Sequence, residues 1–189
     1  MSRSLQARGV RCALVIAAWF VACAPCWAQG LGQGGEYQVK AAFLYKFAGY
    51  VEWPDGGIGS PETPFTIGVL GAEALAGELT QVISGRTLND RSVSVRRLKP
   101  GEPLGGVHML FLGRSESMAQ NQLHQWTQRR PVLVVTESEG ALEQGSMINF
   151  VVIERRVRFE IAPDAAEKSG LRLSSRLLAV AQKVSAGAP

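Results

Sequence analysis

The sequence predicts an α/β fold with a mostly parallel sheet and an antiparallel hairpin near its C-terminal end. From Phe65 onward, short apolar runs alternate with longer amphipathic pieces, which is the pattern of βαβ units with right-handed crossovers. Near the end of the chain, two apolar runs are separated by only a few charged residues, which favours a hairpin. The predicted sheet is therefore parallel at first and antiparallel at its last strand.

The first element is predicted to be a helix over residues 36–52. Its apolar side chains form a wide stripe, with Val39, Phe43, Phe47 and Tyr50 on one face. Trp53-Pro54 is expected to end the helix, because proline disfavours helical geometry in the residue before it. A loop rich in Pro, Gly, Asp and Ser then continues to Pro64.

Five apolar runs are predicted to be strands: Phe65–Leu70, 93–98, 107–112, 132–136 and 147–153. Helices are predicted between them at Glu73–Ile83 and at 115–129. After a charged turn, the alternation of residues 157–161 predicts one more strand. Its inward side chains are Val157, Phe159 and Ile161, and its outward side chains are Arg158 and Glu160.

The C-terminal segment is predicted to be helical from Asp164, with Gly170 dividing it into two pieces. The side chains expected to reach the core are Ala165, Ala166, Leu171, Leu178 and Val180. The hydroxyls of Ser174 and Ser175 are expected to cap the second piece, since serine is a favoured residue at a helix N-terminus.

Residues 1–28 are predicted to be a cleavable secretory signal, which leaves 29–189 as a single domain. Three arginines precede an uncharged apolar run of about a dozen residues at 12–23, a length that suits a signal. A spanning helix needs about 20 residues. The small residues Cys26 and Ala28 then precede a cleavage site after Ala28. Lipidation at Cys23 is the alternative, because residues 20–23 loosely resemble a lipobox.

Removal of residues 1–28 changes both the net charge and the cysteine content of the chain, and therefore the kinds of partner and chemistry that are expected. It removes three arginines and no acidic residue, so the formal charge falls from +4 to +1 and a nucleic-acid partner loses its main support. All three cysteines, Cys12, Cys23 and Cys26, lie in the signal. The mature chain is therefore expected to have no disulfide, no thiol chemistry and no cysteine-bound metal.

Candidate catalytic residues are scarce. His108 and His124 are the two histidines of the sequence. The first opens an apolar strand and the second lies on a polar helix face, so a structural or solvated role is favoured for both. The metalloprotease, serine-hydrolase and phosphate-loop motifs do not occur. The sequence predicts a protein that is not an enzyme and that uses no metal and no cofactor.

A ligand site is predicted at the carboxyl edge of the sheet, where open α/β sheets bind small molecules. Its candidate residues are Gly113, Arg114, Ser115 and Thr136, which follow or end two apolar strands. Arg114 with Ser115 at the start of a helix is suited to an anion. The alternative for each of these residues is ordinary turn chemistry.

Five segments resemble a known family in order, spacing and composition. They are VKAAFLYKFAGYVEWP at 39–54, IGVLG at 67–71, VHMLFLGRSE at 107–116, VLVVTESEG at 132–140, and GSMINFVVIERRVRFEIAPDAAEKSGLRLSSRLLAVA at 145–181. On these segments, which span nearly all of the chain after the signal, the protein resembles the YfiR family of periplasmic regulators. The resemblance implies a three-layer, Rossmann-like α/β sandwich without catalytic activity.

The resemblance also implies a partner. The expected partner is the periplasmic sensory domain of a YfiN-like diguanylate cyclase in the inner membrane. Holding that receptor inactive would lower cyclic di-GMP and restrain biofilm formation, and an OmpA-like, YfiB-like lipoprotein would sequester the regulator. Genes of this family also occur beside histidine kinases and receptors, so a periplasmic small-ligand-binding module feeding such a receptor is the alternative. Whether the chain forms a homodimer stays open.

The sequence departs from the family pattern at three positions. Some members carry cysteines where this chain has Gly68 and Val107, so redox control through disulfides is not expected here. The asparagine that usually follows Phe-Glu-Ile is Ala162, which weakens any argument that uses its amide for capping or contact.

The partner-binding surface is expected to expose aromatic and arginine side chains with a polar rim. Arg158 and Glu160, which project from the last long strand, are the first candidates, and Trp53 at the end of the first helix is the other. The alternatives are a solvated strand face for the charged pair and a core position for the indole.

Overall fold

The computed structural model describes residues 33–115 and 130–185. The helices are α1 Gln33–Ala48, α2 Glu73–Ile83, α3 Pro163–Lys168 and α4 Ser175–Ala179. The strands are β1 Val51–Glu52, β2 Phe65–Leu70, β3 Thr87–Leu88, β4 Arg91–Leu98, β5 Met109–Leu112, β6 Leu133–Thr136, β7 Ile148–Ile153, β8 Arg156–Ile161, β9 Arg172–Leu173 and β10 Lys183–Val184. The predicted signal with its cysteines, His124, and all but the first residue of the predicted helix at 115–129 lie outside the described residues.

The predicted α/β fold is confirmed. Eight strands form one sheet in the order β10-β8-β7-β6-β5-β2-β4-β3, and β4, β2, β5, β6 and β7 run parallel. Strand β8 returns antiparallel to β7 as the predicted hairpin. β1 and β9 form a separate two-stranded ribbon. The bounds of β2 and α2 coincide with the prediction, because a buried strand reads as a continuous apolar run and an amphipathic helix shows its period.

Each face of the sheet carries its own hydrophobic cluster. On one face, α1 and α2 pack on alternate residues of the central strands, such as Ile67 of β2. Phe47 of α1 lies at the centre of this cluster, with ring centroids 4.9 Å from Phe159 and 5.7 Å from Phe150. The other face buries the remaining residues of the same strands, including Leu110. Burial on both faces explains why the central strands lack polar alternation.

The hairpin of β7 and β8 shows the predicted alternation. Val157, Phe159 and Ile161 are buried, whereas Arg158 is exposed and Glu160 is half-buried. The hairpin also extends beyond its neighbour, since Asn149 already pairs with Thr136, the last residue of β6. The four residues that follow Asn149 in β7 therefore project about 13 Å past the carboxyl edge of the sheet.

The predicted end of the first helix is wrong. Helix α1 ends at Ala48, and the carbonyls of Lys46 and Phe47 accept bonds from the N–H groups of the two turn residues that follow. The chain then enters β1, where Val51 pairs with Leu173 of β9. This tertiary pairing overrides the helical period, so Tyr50 is exposed instead of lying on the apolar stripe.

The C-terminal prediction is correct in its break and wrong at its end. Gly170 separates α3 from the following residues with a φ of 77°, a left-handed value that glycine adopts without strain. The Ser174 hydroxyl caps α4 by accepting a bond from the N–H of Arg176 at 3.3 Å. Val180, predicted to be buried, is 67% exposed because α4 ends one residue earlier.

Candidate functional site

The parallel register brings the predicted ligand-edge residues together. Leu70 pairs with Leu112, and Leu112 pairs with Thr136, so β2, β5 and β6 end at the same level. Gly113, Arg114 and Ser115, which follow β5, therefore lie beside Thr136 at the carboxyl edge, as the sequence predicted.

Backbone contact occupies the point where the strand order reverses, between β2 and β5. The N–H of Gly113 donates to the Leu70 carbonyl at 2.8 Å, and a Cβ on Gly113 would lie 2.2 Å from the Gly71 carbonyl oxygen. Ser115 Oγ donates to the same Gly71 carbonyl at 3.1 Å. Open α/β sheets usually bind ligands at this point. In this chain the two backbones already meet there.

The other two predicted ligand residues are bonded within the chain. Thr136 is fully buried, and its hydroxyl donates to Asn149 Oδ1 at 2.8 Å and lies 2.9 Å from Ser146 Oγ. Arg114 Nε donates to the Glu137 carbonyl at 3.2 Å, although most of its guanidinium remains exposed. A ligand at this edge would have to displace such bonds or bind to the outer side of Arg114.

Beside this edge lies an ionic cluster of Glu36, Lys40, Arg114 and Glu137, of which Lys40 and Glu137 are buried. The Lys40 and Glu137 side chains are 0% and 1% exposed, and Lys40 Nζ lies 2.5 Å from Glu137 Oε2. Lys40 also donates to Glu36, which accepts a bond from Arg114 Nη2 at 3.3 Å. The cluster therefore ties the first turns of α1 to the ends of β5 and β6.

Aromatic rings enclose the lysine of the ionic cluster. Lys40 Nζ lies 5.5 Å from the ring centroid of Tyr37 and 5.8 Å from that of Phe150, within the range of cation–π attraction. Burial, and then the charge of Glu137, raise the pKa of the Tyr37 hydroxyl. Sequence reasoning missed this cluster. The available signals were a lysine one turn after Glu36 in an apolar helix and an acid directly after a buried strand.

His108 bonds and packs against β2, so its role among the described residues is structural. Its Nδ1 accepts a hydrogen bond from the N–H of Thr66 at 3.0 Å, and its ring stacks on Phe65 at 5.2 Å. Burial lowers its pKa, which favours the neutral form that this accepted bond requires.

The candidate partner-binding residues lie at two ends of the sheet. Trp53 Nε1 donates to the Pro131 carbonyl at 3.1 Å, and its ring meets Phe65 edge-on at 5.1 Å, so it lies where β2 and β6 begin. Arg158 and Glu160 lie on the hairpin at the carboxyl end. The structure therefore does not bring Trp53 together with the charged pair.

The far end of the hairpin exposes apolar and cationic groups together. We call Val152, Ile153, Arg155, Arg156 and Arg158 the hairpin tip. Its two apolar side chains are 46% and 40% exposed. Within residues 33–115 and 130–185, its three arginines form no ion pair. Exposed apolar area beside unpaired arginine is a composition that protein interfaces favour.

An open cavity of about 240 Å³ lies at the opposite end, lined by the apolar side chains of Val51, Trp53, Ile58 and Phe65 and by Arg91. The Arg91 guanidinium donates to the carbonyls of Gly59 and Thr63, both at 3.2 Å, and to that of Ser60. Because these donors are already used, Arg91 organises the loop that forms one wall of the cavity.

Two further properties concern metals and membranes. In the part of the chain that the structure describes, no three acidic or histidine side chains come close enough to hold a metal ion. The helices of that part are too short or too polar to cross a bilayer.

The protein is an α/β protein in which the polar groups at the carboxyl edge of the sheet bond to other groups of the same chain. Its hairpin tip, in contrast, exposes apolar and cationic side chains that suit contact with another protein. The chain belongs to the YfiR/HmsC-like family, whose model matches residues 37–182. That family is regulatory and not catalytic, and its members act in the periplasm. No curated protein matches the chain.

Proposed function

We propose that the chain is exported, loses residues 1–28, and represses a membrane-bound diguanylate cyclase by binding its periplasmic sensory domain. The observation that carries this proposal is the family match over residues 37–182, which supports a periplasmic regulator of cyclic di-GMP signalling. Repression lowers cyclic di-GMP and biofilm formation. An OmpA-like lipoprotein relieves it by competing for the regulator.

The mechanism is a shift of a conformational equilibrium in the cyclase. A regulator moves such an equilibrium only through its difference in affinity for the active and inactive arrangements. A hundredfold preference for the inactive arrangement corresponds to about 2.7 kcal/mol. Binding alone is sufficient for this effect.

The contact surface we propose is the hairpin tip together with Glu160. The tip projects past the carboxyl edge of the sheet, so a partner reaches it without moving the core. Arg158 supplies a charge that is not paired by any residue of 33–115 and 130–185, and Ile153 supplies exposed apolar area. Trp53 lies at the other end with its indole N–H already bonded, so we assign it a secondary contact through packing alone.

A genetic experiment tests the function. Deleting the gene should raise cyclic di-GMP, and the wild-type gene should restore the low level. The Arg158→Glu variant should fail to restore it because the charge reversal acts on the proposed surface. Arg172→Glu is the matched control, since Arg172 is also exposed but lies on β9. An unchanged level after deletion, with the cognate cyclase intact, would contradict the proposal.

A biochemical experiment tests the contact directly. Crosslinking in the cell envelope, followed by purification of the regulator, should recover the cyclase with wild type and with Arg172→Glu. Recovery should fall at least tenfold with Arg158→Glu or Glu160→Arg. Circular dichroism of the purified variants shows whether they remain folded. Equal recovery from all four proteins would rule out the hairpin surface.

A further inference from the structure

The cavity of about 240 Å³, which lies at the end of the sheet opposite the hairpin tip, has an apolar interior. Two of the side chains that line it, Phe65 and Val51, are buried and form its floor. Its walls include Trp53, Ile58 and Leu88, which are half-buried and pack against the core. Part of the apolar surface of these three walls is therefore in contact with water inside the cavity, which is unfavourable.

Aromatic contacts hold the floor and one wall of the cavity in place. The Phe65 ring centroid lies 5.1 Å from that of Trp53 and 5.2 Å from that of His108. Trp53 is fixed further by the bond from its indole N–H to the Pro131 carbonyl at 3.1 Å. Neither ring can turn to fill the cavity without losing these contacts.

The loop that carries Ile58 is held equally firmly. Arg91 donates to three carbonyls of residues 59–63. The loop backbone also packs closely against the start of β6, since a Cβ on Gly57 would lie 3.2 Å from the ring of Pro131. A site whose walls are already ordered binds its ligand at a lower entropic cost.

The polar groups around the cavity leave no buried hydrogen bond for a ligand to make. Glu52 and Asn89 are exposed, so their side chains are hydrated at the mouth. The Trp53 N–H is bonded to Pro131, and Arg91 is bonded to the loop. Neither of these two side chains has a buried nitrogen without a partner. A charge moved into the interior would lose its hydration and gain no partner, so the cavity favours an uncharged ligand.

We propose that this cavity binds a small uncharged aromatic molecule, one ring with a short substituent. Its size fits such a molecule, because an apolar cavity of about 150 Å³ holds benzene and sites for larger ligands measure about 300–1,000 Å³. The ligand ring packs against Trp53 and Phe65, and aromatic pairs gain stability beyond the area they bury. A hydroxyl on the substituent stays in water at the mouth. The site is separate from the hairpin tip and does not depend on the function proposed above.

Three probes that share one ring and differ in charge test the ligand class. They are benzyl alcohol, benzylamine and benzoate, and calorimetric titration of the purified chain at pH 7 measures the affinity of each. Benzyl alcohol should bind at least tenfold more tightly than either charged probe, because its substituent loses no ionic hydration. Equal affinity for the three probes, or no binding of benzyl alcohol at its highest soluble concentration, overturns the proposal.

Two variants with the same substitution test the location. Ile58→Trp fills the cavity with an indole and should weaken the binding of benzyl alcohol at least tenfold. Ile153→Trp makes the same change at the hairpin tip and should leave the affinity unchanged. Circular dichroism shows whether both variants are folded. Unchanged affinity in a folded Ile58→Trp overturns the proposal.

Nuclear magnetic resonance of the wild-type chain locates the site without a variant, and decides the matter if Ile58→Trp does not fold. Titration with benzyl alcohol should shift the indole N–H signal of Trp53 and the methyl signals of Ile58 and Leu88, which line the cavity. The methyl signals of Ile153 should stay in place. Shifts at Ile153 without shifts at Trp53 overturn the proposal.

Discussion

Lys40 Nζ and Glu137 Oε2 lie 2.5 Å apart and join α1 to the end of β6 in the interior of the protein. Their remaining partners are unequal. Lys40 also contacts the carboxylate of Glu36, whereas the other oxygen of Glu137 accepts a 3.3 Å bond from the backbone N–H of Arg114, which is a neutral donor. Removing the lysine therefore leaves a buried carboxylate without a cation, while removing the carboxylate leaves the lysine with one acid.

This asymmetry predicts unequal losses of stability. Lys40→Met should lower the free energy of unfolding by about 3–5 kcal/mol, the range for breaking a buried pair. Glu137→Gln should cost less, because Lys40 keeps Glu36. Urea unfolding of both variants measures the difference.

The double variant Lys40→Met/Glu137→Leu provides the control for this prediction. It removes both charges and should recover much of the loss of Lys40→Met, since apolar replacements of a buried pair are often neutral. Additive losses in the double variant would show that the two side chains act independently.

Replacing glycine by alanine is expected to have opposite effects on stability at two positions, Gly113 and Gly77. Gly113→Ala should destabilise the fold by about 3 kcal/mol, at the upper end for overpacking, because the new methyl meets the backbone of Gly71. Gly77→Ala should stabilise it by about 0.5–1 kcal/mol, because Gly77 lies inside α2 with nothing within 4 Å of its Cβ position. Thermal unfolding of the two variants measures both. A neutral Gly113→Ala would show that the two backbones can separate.

Period and composition predicted the elements that bury many residues. The long strands and α2 were found because each repeats its pattern over several residues. Strands β1, β3, β9 and β10 have two residues each, which is too few for any period to appear. Tertiary pairing decides such short strands, and this pairing also overrode the helical pattern at Tyr50.

The candidate site was predictable in position and not in its contacts. Parallel strands must end together, so Gly113 and Thr136 were correctly placed at one edge. The burial of Lys40 depends on Glu137, which is 97 residues distant in the chain. No local pattern carries such a pairing, and a lysine in a helix is ordinarily expected to face solvent.

His108 predicts a loss of stability in mild acid. Its pKa in the folded protein lies below that in the unfolded chain, about 6.5. As pH falls, the unfolded state therefore takes up the proton first. The contribution of neutral His108 is complete above about pH 6.5 and is lost as pH falls from there through the folded-state pKa.

Melting temperatures between pH 7.5 and pH 5 measure this loss. His108→Asn should flatten the fall, because the asparagine oxygen can still accept the Thr66 bond and does not titrate. An identical pH dependence in wild type and His108→Asn would assign the acid sensitivity to other groups.

The turn of the β7–β8 hairpin predicts a gain in stability. Glu154 and Arg155 have φ values of 49° and 62°, in the left-handed region that costs such residues about 1–2 kcal/mol each. Asn89 and Asp90 make the same kind of turn between β3 and β4 with residue types that tolerate it. Replacing the strained pair by Glu154→Asn and Arg155→Gly should therefore raise the free energy of unfolding by about 1–3 kcal/mol in urea titrations.

The same variant separates turn strain from partner binding. It removes one residue of the hairpin tip, Arg155, and leaves Arg158, Ile153 and Glu160 in place, so crosslinking to the cyclase should persist if these three residues carry the contact. Strained backbone at a functional surface is commonly part of its mechanism. A variant that gains stability and loses the partner would show that the shape of the turn, or the charge of Arg155, is itself recognised. A variant that gains no stability would show that the hairpin imposes no strain on its turn.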